Sequence, residues 1–441
     1  MTDHLNEHVK GHAIENSMKT IDRVNKTLKK RHRAEKRFRL YGILSITFGL
    51  LCVLFLFVNI IGKGLSGFTY HYMALSVELD AETLGITDTG NFDQILAANY
   101  PGVVKRATYQ YFKASGRKDK SNARKLLSID GTGYLLQDKF KVDAKKNINS
   151  QITVWALVDD KVDFYLKRLD EPGEKGKHEF NAQQLQWIHS ALESGDLKRK
   201  FNWAFFNKGD SAHSEEAGIK GAIMGSFYLL LVTFCISFPV AISSAIYLEE
   251  YAPKNKWTDL IEVNINNLAA VPSIIFGLLG LAIFLAFFGF PRSTPLVGGL
   301  VLSLMTLPTI IISSRAAIKS VPPSVRQAAY GLGASKMQVT LHHVLPLAMP
   351  GMLTGTIIGL AQALGESAPL LMIGMAAFIP EIPMGWTDPS TVLPMQIFQW
   401  FRNADAGFNE KASAAILILL VFLIIMNTFA VWARRRLERR W

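Results

Sequence analysis

Cysteine is almost missing from this chain: among 441 residues only Cys52 and Cys235 carry a thiol. Both fall within long apolar runs, so the polar part of the chain is expected to hold neither a disulfide nor a cysteine metal site. The pattern Gly-x-x-x-x-Gly-Lys-Ser/Thr is also absent, which excludes a P-loop ATPase. No cofactor is expected in this chain, and any ATP and Mg2+ belong on another subunit. Without His-Glu-x-x-His, Gly-x-Ser-x-Gly or a paired intramembrane Asp, a membrane enzyme has no support. His342 and His343 are adjacent, so they point to different sides of a helix, and no third ligand is near in sequence; no metal site is expected there. No internal repeat is found.

Apolar sequence, by contrast, is abundant. At 49% hydrophobic with a mean hydropathy of +0.18, the chain is too apolar for an ordinary soluble enzyme and too charged to lie wholly in a membrane. A transmembrane helix needs roughly 20 mostly apolar residues. Six stretches qualify: 40–61, 221–248, 268–290, 296–318, 348–378 and 412–432. The first follows a basic run from Lys26 to Arg39 with no small-residue cleavage site after it, and is expected to be a retained helix. The basic run and the Arg434–Arg440 tail place both termini in the cytoplasm, as an even span count requires. The turn at Lys254 and Lys256 and the loop carrying Lys319, Arg326 and Lys336 then face the cytoplasm, and the turn 290–295 faces out.

The net charge of +12 lies mostly in these cytoplasmic flanks, because basic and acidic residues nearly cancel between Lys63 and Ala217. A membrane surface accounts for the basic residues better than nucleic acid does. The expected organisation is a basic cytoplasmic segment (1–39), a first span (40–62), an exported α/β domain (63–217) and a polytopic helical region (218–441) with a cytoplasmic loop at 319–346. In the exported block, 151–158 and 162–167 alternate like a hairpin around Asp159-Asp160, and 181–197 has helical spacing at Leu185, Ile188 and Leu192. The charged stretch 117–124 reads as a solvated loop and 170–177 as a turn. The outer loop 379–411 is expected to be re-entrant or interfacial. Its prolines argue against a long helix, and Trp386 and Trp400 suit the headgroup level.

The fifth apolar stretch carries the most chemistry. Gly351, Gly355, Gly359 and Ala363 recur every four residues, a small-residue stripe that lets another helix approach closely. Gln362 and Glu366 project toward the same side, so both are expected to face protein rather than lipid. A carboxylate at membrane depth costs at least a few kcal/mol unless paired, wetted or protonated, and marks a functional position by default. Pro369 removes a hydrogen bond and displaces the carbonyl of Gly365, so the helix is expected to break across 365–369 and line a cavity beside Ser367. The alternative is a kinked helix whose Glu366 bonds a neighbour. Arg315, near the inner end of the fourth span, either snorkels to the interface or offsets the Glu366 charge.

Between the fourth and fifth spans runs Arg326-Gln-Ala-Ala-Tyr-Gly-Leu-Gly-Ala-Ser-Lys-Met-Gln-Val-Thr-Leu-His-His-Val-Leu-Pro346. It resembles the cytoplasmic coupling loop of ABC importer permeases, the "EAA" signature, with Ala328, Ala329, Gly333, Leu345 and Pro346 at the family spacings. Gln327 stands where the family usually has Glu, and His343 where it has Ile. Ser324 and Gln327 read as a capping box opening a helix that presents Ala328, Ala329 and Gly333 to an ATPase, kept off the span by Pro322 and Pro323. The segment Gln362-Ala-Leu-Gly-Glu-Ser-Ala-Pro-Leu370 is similar to the Arg-Ala-x-Gly-Glu-x-Ala-Pro-Leu motif of phosphate importer permeases of the PstA type. The segments 270–278 and Val321-Pro322 fit the same family. The motif's Arg is Gln362 here, which removes a fixed positive charge beside Glu366.

This resemblance, covering 218–441, implies an all-α polytopic membrane protein with a MetI-like ABC permease core, here with six predicted spans and an inserted α/β extracytoplasmic domain. It also implies a multi-pass location in a bacterial inner membrane, phosphate as cargo, and three kinds of partner: a PstC-type second permease, a dimer of ATPase subunits and a periplasmic phosphate-binding protein. Membrane lipids surround the spans. Arg315, Gln362, Glu366 and Ser367 are the pathway candidates; Gln327, Ala328, Ala329, Gly333, Leu345 and Pro346 are the coupling candidates. Permeases for other oxyanions and small solutes share the coupling loop. A receptor with an exported sensing domain is the alternative from another class; such receptors usually end in an output domain, and the short basic stretch from Ala433 to Trp441 after the last span counts against that expectation.

Overall fold

The computed structural model describes residues 3–86, 92–142, 150–169 and 179–437. The chain divides into two units, 1–61 and 62–441. The first unit is part of one long helix, α1 (Asp3–Gly67). Its apolar run is exposed along its length, from Leu40 to Ile61, as a helix solvated by lipid requires.

In the second unit, a three-stranded antiparallel sheet has the order β2-β1-β3. The strands are β1 (Thr69–Glu78), β2 (Gln151–Leu157) and β3 (Leu197–Phe201). Along β1 the pattern settles into strict alternation, with Met73, Leu75 and Val77 inside and Ser76 and Glu78 outside. The buried face packs on α2 (Tyr100–Tyr111) and α4 (Ile129–Val142), around Leu75, Val104, Leu136, Phe140 and Val154.

Two expectations in this region need correction. Residues 117–124 form a helix, α3 (Arg117–Arg124), not a loop. Its charges point outward, but Asp119 and Asn122 bond Gln183, and Ala123 is buried. The stretch 162–167 is no hairpin arm: α5 (Asp160–Lys167) begins where the Asp159 carboxylate accepts the Lys161 N–H. The acidic pair is thus a helix start rather than a turn. The helix expected after Asn181 is α6 (Ala182–Glu193), opened by a capping box between Asn181 and Gln184. The expected turn 170–177 lies outside the described residues.

From Lys220 onward the unit is a helical bundle. α7 (Lys220–Ile246) ends in a π-helical turn, Tyr247–Tyr251. α8 (Lys256–Ala269) and α9 (Ser273–Gly280) follow, the latter continuing as a π-helix through Phe287. α10 (Pro295–Lys319) leads to the short α11 (Pro323–Gly331) and α12 (Lys336–Gln338). α13 (Leu345–Gly365) and α14 (Ala368–Met372) flank a break, and α15 (Leu393–Arg402) precedes the long α16 (Ala406–Leu437). Among the described residues five helices are long and apolar enough to cross a membrane, or six if one bent pair is counted as a span. The expected third stretch, 268–290, falls mainly on the second member of that pair, 273–287, which turns by 102° from α8 where Pro272 denies the chain its helical hydrogen bond and restricts the residue before it. α10 packs on α7 at Gly298 and Gly299, where a Cβ would stand 2.8 Å from Leu229 and 2.6 Å from Val232.

The sheet and the bundle share buried charge. Lys167 bridges Asp163 at 2.7 Å and Glu410 at 2.9 Å, and Asp163 also holds His71. Lys411, in the first turns of α16, donates to the Ala217 carbonyl just before α7. Trp400 is not interfacial as expected: it is buried against Phe205 and Phe408 and donates to Asp210 at 3.0 Å, whereas Trp386 is exposed.

Candidate functional site

The helix break forms where the sequence places Pro369. α13 stops at Gly365, Glu366 turns extended with φ −81° and ψ 124°, and α14 starts at Ala368 with the proline in its first turn. Below the break, the glycine stripe seats α10. A Cβ at Gly355 would collide with Ser313, one at Gly351 would stand 2.6 Å from Ala317, and one at Gly359 would stand 3.3 Å from Ile310. At the break itself, Gly277 of α9 lies against the Pro369 backbone, and Leu370 and Ile373 anchor α14 in the core.

Glu366 and Ser367 are half-buried. Among the described residues the Glu366 carboxylate has no ion pair and no hydrogen-bond donor. Gln362 is exposed on the surface of this chain. The row 351, 355, 359, 363 is the covered one, and Gln362 lies past its edge. The break therefore offers two uncommitted polar groups, a carboxylate and a carboxamide, on a face that this chain leaves open.

Arg315 does not serve Glu366. Since Gly355 faces Ser313 on an antiparallel neighbour, Arg315 stands about 20 Å along the helix pair from the level of Glu366. Nor does it snorkel. It is buried, with Nε 2.5 Å from Glu249 and Nη2 2.5 Å from Glu262, and Lys319 joins Glu249 at 3.3 Å. Arg326 extends the cluster: it donates to Glu250 at 2.8 and 3.1 Å, to the carbonyl of Ile318 in the last turn of α10 and to that of Val321 just beyond it. Four structural segments, the π turn after α7, α8, the end of α10 and α11, thus meet in one ion network. Sequence reasoning missed Glu249, Glu250 and Glu262. The available signal was the Glu249-Glu250 pair directly after an apolar run, facing Arg315 and Arg326 after another.

The loop between α10 and α13 is two helices joined by a turn. The expected capping box at Ser324 is absent, because α11 starts two residues earlier, with Pro322 as its cap and Pro323 at its first position. The capping box is at Ser335 and Gln338 instead, opening α12. α11 closes at Gly333, whose φ of +83° suits glycine, with the Leu332 and Gly333 N–H groups bonding Ala328 and Tyr330 carbonyls. Gln327, Ala328 and Gly333 are exposed. Ala329 is not presented outward as expected: it is buried among Ile242, Val321, Val339 and Val344. Leu332, 90% exposed, and Tyr330 project instead. Leu345 and Pro346 belong to the span, because α12 continues through a π-helix, Val339–Val344, directly into α13.

A multispan bundle with a polar helix break at depth and a helical knob at one end is a membrane transport subunit. Residues 222–441 match the family model of the binding-protein-dependent transport system inner membrane component, and 25–172 match a domain of unknown function, DUF3333. The phosphate transport system permease protein PstA of Yersinia pestis is 31% identical over 222 residues, covering 50% of this chain and 74% of that protein. A probable ABC transporter permease protein of Bacillus subtilis, YqgI, is 28% identical over 53% of this chain and 83% of its own length. Among solved structures, an inward-facing MetNI methionine ABC transporter chain matches with a TM-score of 0.41 and 19% identity, over 50% of this chain and 97% of that one. The chain belongs to the binding-protein-dependent inner-membrane permeases of ABC importers, in their PstA-type group. It is a multi-pass transport subunit, not an enzyme, and ATP hydrolysis is the work of a separate ATPase.

Proposed function

We propose that this chain is one half of a phosphate-importing permease, pairing with a second, PstC-type permease. It takes phosphate from a periplasmic binding protein and is driven by two ATPase subunits. The observation that carries the reading is the break at Gly365–Pro369, where a Glu366 without partners and an exposed Gln362 lie on an open face, within the segment most like the phosphate permease motif. In the membrane that face must be covered, since a bare carboxylate against lipid costs several kcal/mol. A second permease across a polar pathway covers it. With Arg315 committed to Glu249 and Glu262, the cation or proton that lets an anion pass Glu366 comes from outside this chain.

In this reading the knob of α11 and α12 faces the cytoplasm with both termini, and residues 63–217 lie on the outer side. Gln327, Ala328, Tyr330 and Leu332 meet the ATPase. The test is ATP-dependent uptake by the assembled importer in proteoliposomes, with phosphate, sulfate and molybdate as competitors. Phosphate uptake lowered at least tenfold by Glu366→Gln supports the reading. Competition by sulfate or molybdate equal to that of phosphate, or unchanged uptake by the variant, overturns it.

A further inference from the structure

The charges of residues 63–217 are balanced in number but not in place. Between residues 100 and 125 the chain carries eight lysines and arginines and one acid, Asp119. That acid is turned to Gln183, which donates to it at 3.0 Å. The chain leaves α2, turns at Lys113 with a φ of +48° and returns as α3, so cations of both helices come to one cleft. The cleft holds about 560 Å3, and Lys105, Arg106, Lys113 and Lys120 line it around Tyr109 and Ser115. Among the described residues no carboxylate lines it. Like charges gathered in one concave surface repel, and an anion between them relieves that repulsion.

The four cations differ in how free they are. Arg106 is engaged, donating to Thr83 at 2.9 Å and lying 3.6 Å from Asp80. Lys120 stands 5.7 Å over the Tyr109 ring, which also packs on the core beneath the sheet. The aromatic surface is thus taken, and a nucleobase has nothing to stack on. Lys105 and Lys113 are exposed and have no side-chain partner among the described residues. They are eight residues apart, roughly 12 Å at the rise of a helix, so an anion that meets both carries charge on more than one centre. No large apolar side chain is exposed in the lining, so the cleft lacks the anchor on which a protein interface is built.

We propose that this cleft binds a condensed inorganic phosphate, a chain of phosphoryl groups such as tripolyphosphate. Lys105 and Lys113 hold its two ends, and Lys120 and the Ser115 hydroxyl donate between them. Ammonium groups act as separate point charges, which a chain of phosphoryl oxygens meets one after another. The inference needs neither orthophosphate as cargo nor a pathway at Glu366. It concerns binding to the sheet domain, so it stands or falls apart from the transport reading.

The test is isothermal titration calorimetry of the full chain in a neutral detergent, with tripolyphosphate, orthophosphate or an oligoglutamate peptide as the probe. Tripolyphosphate is expected to bind at one site per chain and to bind more weakly as salt is raised, because the lysines are open to screening. Lys105→Gln and Lys113→Gln should each lower its affinity about tenfold, the worth of one charge-assisted hydrogen bond, with the melting temperature unmoved. Lys254→Gln, on an exposed side chain between α7 and α8, should leave the affinity unchanged. Absence of binding, unchanged affinity in the Lys105 and Lys113 variants, or an equal loss with Lys254→Gln overturns the site. Orthophosphate that displaces tripolyphosphate at equal concentration overturns the condensed chain as its ligand. Tighter binding of the peptide overturns it in favour of an acidic protein segment.

Discussion

Gly277 and Pro369 touch backbone to backbone: a Cβ on the glycine would stand 2.7 Å from the proline Cα and 2.9 Å from its carbonyl oxygen. The second helix of the bent pair therefore props the break that follows α13. Backbone cannot yield as a flexible side chain does, so Gly277→Val should displace α14 and cost about 1–3 kcal/mol. Melting of the purified protein should show a fall of several degrees with this variant and none with Gly331→Ala, where no atom lies within 4 Å of a built Cβ.

The exposed knob makes a site-specific prediction. In the assembled importer, a cysteine at Leu332 or Gln327 should cross-link to the ATPase, whereas one at Ala329, buried at 4% exposure, should be silent. Mapping cross-link yield along 324–335 checks this. Capture at 329 with silence at 332 would mean that α11 is turned over in the complex.

Arg326 and Glu250 hold α11 to the π turn at the end of α7. Removing either alone strands a largely buried charge, so Arg326→Ala or Glu250→Ala should destabilise by about 3 kcal/mol. The double variant should recover part of that loss, and a thermodynamic cycle measured by denaturant unfolding would expose the coupling. Because the pair joins the knob to the bundle, the single variants should also uncouple ATP hydrolysis from transport.

Acid should tighten the seam between sheet and bundle. Burial, and then a hydrogen bond and repulsion from the neighbouring Asp160, raise the Asp405 pKa to about 6; the Gly407 N–H and Lys161 oppose this. Asp160 is itself raised, by burial first, with Asp159 and Glu215 adding to it. A carboxyl whose folded pKa lies above its unfolded one favours folding in its protonated form. That advantage is complete below about pH 4 and is lost as pH rises through about 6. Proteolysis in the loop 403–406 should therefore quicken between pH 5 and 7, and Asp405→Asn should flatten the profile.

Much of this was legible in sequence because it rests on local rules. Apolar runs of membrane length, a proline four residues after Gly365 and glycines at every fourth position each dictate a feature through sterics or solvation, and the structure has them. The failures share another cause, which is tertiary partners that a linear reading does not contain. The charged stretch 117–124 is a helix whose Asp119 and Asn122 bond Gln183 of a helix distant in sequence. Arg315 reads as a snorkelling or pathway cation until Glu249 and Glu262, more than fifty residues away, are seen beside it. Ala329 reads as presented because the Ala-Ala pair is small, yet a helix has two sides, and only the core shows which alanine it takes.

The bond from Lys411 to the Ala217 carbonyl fastens the final long helix to the entry of the first one in the bundle, at the end nearest the sheet. Two rods joined by a buried bond near one end are least free to separate there, so any parting of α7 from α16 is expected to grow with distance from that bond.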